Sequence, residues 1–157
     1  MLLANYKPVS RMVTKETVIT QPRFPVIDAH NHMGSQFGGG WDSKPVSALL
    51  DVLDESGVCA IVDLDGGWGE DIVQAHLEYF KRAAPERFWV FGGVDFFAWE
   101  RMGERFPQWA AERLRQQAAW GIEGVKIWKP FGLQVKDPQG RVAAVDDLRL
   151  DIIWQTA

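Results

Sequence analysis

Short apolar runs alternate with longer amphipathic stretches from residue 25 onward. Each run has the length of a strand rather than of a helix, so the pattern predicts four buried strands. They occupy residues 26–32, 59–64, 88–94 and 124–128. The stretches between them predict helices, because apolar residues recur on one face, as Val46, Leu49 and Leu53 do.

Proline and glycine set the predicted ends of the helices. The first helix is expected to begin after Asp42 or Ser43, with Pro45 in its first turn, and to end at Ser56 before Gly57. Further helices are predicted over residues 70–84, 107–120 and 147–157. Residues 1–24 show no clear periodicity and form a leader.

This order of elements predicts an α/β fold with a parallel sheet, because parallel neighbours need a crossover and each helix supplies one. Residues 25–157 hold about four strand–helix units of roughly 33 residues. A complete (β/α)8 barrel has eight units in about 250 residues. We therefore expect residues 25–157 to form the N-terminal half of a TIM-like (β/α)8 barrel. No glycine or proline follows Ile153 to stop a helix, so the chain is expected to be a fragment.

The composition is typical of a folded, water-soluble protein, with 46% apolar and 24% charged residues. The net charge of -4 and the lack of Lys/Arg runs exclude nucleic acid as an expected partner. No apolar stretch has the length of a membrane helix or of a signal-peptide core, so we expect no membrane partner and a cytoplasmic location. The single cysteine, Cys59, lies in an apolar run and is predicted to be a buried structural thiol.

Two of the three histidines, His30 and His32, lie at the end of the first predicted strand. Residues two apart share one face of a strand, so both imidazoles can bind one metal ion. Barrel enzymes carry their chemistry at the carboxyl ends of the strands. Asp28 lies on the same face as a further metal ligand or supporting group, and Gly38–Gly40 predict a mobile active-site loop. The pattern predicts a divalent metal site, with zinc as the expected ion.

Aspartates also follow the next two predicted strands. Asp63, Asp65 and Asp95 could each orient a ligating histidine through its second ring nitrogen, or could simply accept hydrogen bonds from loop amides. Of the three, Asp95 is the preferred candidate. The third histidine, His76, falls on the apolar face of the second predicted helix and is interpreted as a packing residue.

Tryptophan is abundant, with eight residues in the chain. Trp41, Trp68 and Trp99 follow the first three predicted strands, and Trp128 ends the fourth. These four could line an apolar or aromatic substrate pocket, or could pack beneath long loops. The other four are interpreted as packing residues: Trp89, Trp109, Trp120 and Trp154.

The segment Pro25-Val-Ile-Asp-Ala-His-Asn-His32 resembles the first-strand motif of the amidohydrolase superfamily, in particular its amidohydrolase-related branch of metal-dependent hydrolases and decarboxylases. Later segments agree in the same order: residues 57–58, 85–88, 124–129 and 145–151. The resemblance covers about residues 24–157. It implies a hydrolase that activates water on a divalent metal to attack a carbonyl-type carbon of a small-molecule substrate, which the tryptophans suggest is aromatic.

The resemblance also implies where the remaining metal ligands and the catalytic base are found. In the family the remaining metal ligands and the catalytic base come from strands five, six and eight, so the base is expected beyond Ala157. The chain alone is then expected to bind zinc weakly and to show little activity. Lys126 is near the position of the carboxylated lysine that bridges two metals in binuclear relatives, although it could instead pair with an aspartate.

Three alternatives stay open at this point. The first is a non-oxidative decarboxylase of the same family. The second is a non-catalytic half-barrel that binds metal or closes its sheet by pairing with a second copy as a homo-oligomer. The third is a phosphoesterase resembling histidinol phosphatase, which is disfavoured because that family needs more histidine and acidic ligands early in the chain.

Overall fold

The computed structural model describes residue 2 and residues 5–157. Within these residues a four-stranded parallel sheet has the order β1-β2-β3-β4 and curls like half of a barrel. The strands are β1 (Val26–Asn31), β2 (Val58–Asp63), β3 (Phe88–Gly92) and β4 (Gly124–Val125). The predicted α/β class and the predicted parallel sheet are confirmed. Because all strands run the same way, their carboxyl ends lie along one edge of the sheet.

Helices connect the strands as predicted, with differences in detail. They are α1 (Val46–Ser56), α2 (Glu70–His76), α3 (Ala98–Met102), α4 (Phe106–Trp120) and α5 (Asp151–Trp154). α1 and α4 end at Gly57 and Gly121, the two glycines that predicted these ends. α2 continues as a π-helical turn, Leu77–Lys81, where one regular helix was predicted. α3 was not predicted, and β4 is two residues long where five were expected.

The core of the described residues consists of two apolar clusters. The first lies between α1, the π-helical turn and the sheet, and contains Met33, Leu49, Leu53, Ile61, Phe80 and Phe88. The second packs α3, α4 and α5 against the segments that follow β3 and β4, with Trp99, Phe106 and Leu114 at its centre. The sheet is thus packed against two separate apolar clusters.

The amino-terminal ends of β1 and β2 are more exposed than their apolar sequences predict. Cys59 is exposed, so the prediction of a buried thiol is wrong. β2 is buried only from Ala60 onward, and Cys59 lies before that point. In β1, Val26 and Ile27 are also exposed, because β1 pairs with β2 alone and forms an edge of the described sheet.

Residues 6–24 are exposed and form neither helix nor strand. In the described part of the chain, none of the helices is long and apolar enough to cross a membrane.

The loop after β2 passes unusually close to β3 and to the segment after β4. A Cβ atom added to Gly66 would lie 2.0 Å from the carbonyl oxygen of Phe91, and one added to Gly67 would lie 1.8 Å from Nε1 of Trp128. Contacts this short leave no room for a side chain, so both positions require glycine. The two glycines therefore fix the path of the chain between Asp65 and Trp68.

We expect Gly66→Ala to lower the free energy of unfolding by about 2–3 kcal/mol, because the obstructing atom belongs to the backbone of a central strand. The control is Gly140→Ala, at a glycine with a φ of 75° and no other group within 4 Å of the added Cβ atom. That change should cost about 1 kcal/mol, the price of a left-handed conformation alone. Urea unfolding followed by circular dichroism compares the two. An equal or smaller loss at Gly66 would contradict the close approach.

Candidate metal centre

The two imidazoles of the His-x-His segment lie side by side at the carboxyl end of β1. His30 is within the strand and His32 follows it directly. Their ring centroids are 5.5 Å apart, and the planes meet edge to face at 69°. His30 is exposed and His32 is half-buried, so a small ligand can reach this pair from solvent.

A buried carboxylate holds the ring of His32. Nδ1 of His32 lies 2.7 Å from Oδ1 of Asp65, a residue with no exposed surface. An ionised carboxylate can only accept, so Nδ1 carries the proton and donates it. Nε2 is then the nitrogen left for a metal ion. Oδ2 of Asp65 accepts a second hydrogen bond, from the backbone N–H of Gly34 at 2.7 Å.

A second histidine–aspartate pair, His76 and Asp63, adjoins the first through Asp65. Nδ1 of His76, at the end of α2, is 2.5 Å from Oδ2 of Asp63. The other oxygen of Asp63 accepts the backbone N–H of Asp65 at 3.2 Å. His76 also packs edge to face against Phe80, with ring centroids 5.2 Å apart. The predicted packing role of His76 thus describes one of its two contacts, and the contact with Asp63 was missed.

Asp63, Asp65 and His76 together form a cluster that could bind a metal ion, because each offers a ligand atom within 4.8 Å of the others. In the structure both carboxylates of this cluster already accept two hydrogen bonds. A carboxylate has about four lone-pair positions, so these hydrogen bonds leave room for an ion. The cluster and the His30/His32 pair are therefore two candidate sites.

The charge of the buried cluster also acts on His76. Burial alone would lower the pKa of His76, but its hydrogen bond to Asp63 and the negative charges of Asp63, Asp65 and Asp42 outweigh burial and raise that pKa above the ordinary value of 6.5. In this structure His76 is therefore the proton-sharing partner of Asp63.

The other polar candidates are placed away from the histidine rings or are engaged locally. Asp28 accepts the backbone N–H of His30 at 3.2 Å and the side-chain amide of Asn31 at 2.7 Å, at an irregularity in the pairing of β1 with β2. Asp95 accepts the backbone N–H of Phe97 and forms an ion pair with Arg101. Asp65, not the preferred Asp95, is the aspartate that is hydrogen-bonded to an imidazole ring of the pair.

Lys126 lies just beyond β4 and is half-buried. Its backbone N–H donates to the carbonyl oxygen of Gly92 at 2.8 Å, which prolongs the pairing of β3 with the end of β4. Lys126 thus lies at the carboxyl edge of the sheet, and its role as a bridging metal ligand stays a prediction.

Two of the four tryptophans predicted to line a pocket come together. The rings of Trp68 and Trp128 have centroids 4.6 Å apart, and Phe37 lies 5.3 Å from the first and 5.4 Å from the second. Phe37 and Trp128 also contact the ring of His32, at 4.4 and 5.8 Å. Phe37 was not among the predicted residues, since a lone phenylalanine in a glycine-rich loop carries no distinctive pattern.

The other two tryptophans lie elsewhere. Trp99 is 1% exposed and belongs to the second apolar cluster, with the guanidinium of Arg149 4.8 Å from its ring centroid. It is carried there by α3, the helix that the sequence pattern did not reveal. Trp41 lies in a 3-10 turn before α1 and packs against the first cluster.

Comparisons of the chain with protein-family models, with curated proteins and with solved structures find no match.

The His76–Asp63 pair predicts a pH-dependent stability. The pKa of His76 is raised in the folded protein, so its contribution to stability is complete below the unfolded value of 6.5 and is lost as pH rises through the folded pKa. We expect the free energy of unfolding to fall as pH rises above 6.5 and through the raised pKa of the folded state, and His76→Gln to remove that part of the slope.

Urea unfolding at a series of pH values measures this slope. The control is His30→Gln, at an exposed histidine outside the His76–Asp63 pair. This variant should keep the pH profile of the parent protein. If the profile of His76→Gln follows that of the parent, the pair does not take up the proton as described.

Proposed function

We propose that this protein is a metal-dependent hydrolase of the amidohydrolase-related type, built on a TIM-like barrel, and that His30 and His32 bind its divalent metal ion. The observation that carries the proposal is the hydrogen bond from Nδ1 of His32 to the buried carboxylate of Asp65. The sequence resemblance of residues 25–32 supports the same assignment. Zinc is the proposed ion, since imidazole nitrogens suit it well.

The groups at the end of β1 fit such an ion. Histidines that bind metals usually donate their second ring N–H to a carboxylate or a carbonyl, which fixes the ring and raises the basicity of the ligating nitrogen. Asp65 does this for His32, and its own position is fixed by Gly34 and Asp63. His30 offers a second imidazole from the same strand end.

A divalent cation in this place supplies Lewis acidity, which lowers the pKa of water and polarises a carbonyl group. The protein contributes orientation and charge. Asp65 accepts the proton of His32 Nδ1 in a hydrogen bond. Asp63, which is paired with His76, holds Asp65 by accepting its backbone N–H. The open side of His30 leaves room for a substrate to approach from solvent.

We expect the protein to bind Zn²⁺ through His30 and His32. His32→Ala and His30→Ala should each weaken binding by more than about tenfold, because each removes one of the proposed ligands. Asp65→Asn should weaken it by about 10- to 100-fold, the usual effect of losing the partner of a ligating histidine. Competition with a chromophoric chelator measures the affinity, and Asp95→Asn is the control that should leave it unchanged.

The same measurement separates the two candidate sites. If His76→Ala abolishes zinc binding while His30→Ala and His32→Ala retain it, the ion lies in the Asp63–Asp65–His76 cluster and the proposed ligand pair is wrong. Circular dichroism of each variant shows whether it is folded before its affinity is interpreted.

Turnover tests the proposed reaction class. We expect slow hydrolysis of p-nitrophenyl acetate that depends on added zinc, because the metal makes water a better nucleophile near neutral pH. His32→Ala should remove the zinc-dependent part of the rate. A rate that is the same with zinc, with a chelator and in His32→Ala would overturn the hydrolase assignment.

A further inference from the structure

An apolar pocket adjoins the histidine pair. Its volume is about 690 Å³, which is in the range of sites for small molecules. Of the described residues, these aromatic ones line it: Phe37, Trp68, Phe96, Phe97, Trp128 and Phe131. They come from the segments after each of the four strands, so the pocket is assembled at the carboxyl edge of the sheet.

The pocket and the proposed metal ligands share a wall. Phe37 and Trp128 line the pocket, and both rings also contact the imidazole of His32. A molecule that fills the pocket therefore contacts two rings that also contact His32, although the histidines themselves are not among the residues that line the pocket. These two rings are the structural link between the pocket and the proposed metal site.

The aromatic rings that line the pocket pack against one another at different tilts. Phe37 and Trp128 are nearly parallel, with 15° between their planes, whereas Trp68 is tilted by 60° to Trp128. Aromatic rings prefer offset-stacked and edge-to-face contacts with other rings, and this arrangement provides partners for both. A flat ring makes better use of such walls than a saturated ring of the same size.

The exposure of these side chains is also informative. Phe37 is 53% exposed and Trp68 is 46% exposed, although both are large and apolar. Clustered apolar side chains left open to solvent commonly mark binding grooves. Here they surround a concave space of small-molecule volume, which favours a small ligand over a flat protein surface.

We propose that this pocket binds the ring of a planar aromatic substrate, whose reacting carbonyl group then lies beside His30 and His32. The substrate class is thus an aromatic ester, amide or related acyl compound. This inference rests on the proposed function for the reaction, but the binding of the ring itself does not require the metal.

The first experiment tests the pocket without metal. Benzamide and cyclohexanecarboxamide, which differ in aromaticity at nearly equal size, are titrated into the protein in the presence of a chelator, and binding is followed by calorimetry. We expect benzamide to bind more tightly, and Trp68→Ala to weaken its binding roughly three- to tenfold. Trp68→Phe, which keeps an aromatic face, should restore most of the affinity.

Trp120 provides a matched control. It lies at the end of α4 next to Gly121, is half-buried, and lines a different depression of the surface. Trp120→Leu should leave benzamide binding unchanged. Equal binding of the two amides, or an unchanged affinity in Trp68→Ala, would overturn the proposal. So would a change of oligomeric state in Trp68→Ala in place of a loss of benzamide binding, because the pocket would then be a protein interface.

The second experiment tests the link to the metal. Benzohydroxamate and acetohydroxamate carry the same zinc-binding group with and without an aromatic ring. With zinc-loaded protein, benzohydroxamate should bind at least about threefold more tightly, and Trp68→Ala should remove this preference. If benzamide binds but the hydroxamates show no preference, the pocket is not the substrate site. A failure of zinc to bind at His30 and His32 overturns the proposed function. The metal-free titration still tests whether the pocket binds an aromatic ring.

Discussion

The burial of two carboxylates at the end of β2 is the constraint on which the site depends. Asp63 and Asp65 have no exposed surface, and burying two such groups side by side is unfavourable unless each is paired. The partners come from different elements, because His32 follows β1 and His76 ends α2. The same hydrogen bonds therefore join β1, β2 and α2 and orient the ring that we propose as a metal ligand.

Four consecutive residues connect this network with the aromatic pocket. Asp65 pairs with His32, Gly66 and Gly67 lie against β3 and the indole of Trp128, and Trp68 lines the pocket. The absence of side chains at the two glycines allows the close approach, so the distance between the carboxylate and the tryptophan is set by backbone packing. The proposed metal ligand His32 and the pocket are thus positioned by one short segment.

Periodicity predicts most of this architecture, because the strands and the longer helices have their own apolar patterns, and Gly57 and Gly121 mark the ends of α1 and α4. The spacing of His30 and His32 likewise predicts that their rings are neighbours. The contact of His76 with Asp63 could not be predicted, since it depends on how α2 lies over the sheet. Trp99 was placed at the rim because α3 is too short to show a helical period, and that helix carries it into the core.

The two histidine–aspartate pairs have the same chemistry, and their exposure separates their roles. The side chain of His32 is 20% exposed, whereas that of His76 is 3% exposed. An ion or a ligand can reach His32 from solvent, whereas His76 is closed off and shares a proton with Asp63. The π-helical turn that follows His76 fits this division, because Phe80 within it closes the apolar side of that ring. The buried pair is therefore the support, and the half-exposed pair is the part of the network that can meet a ligand.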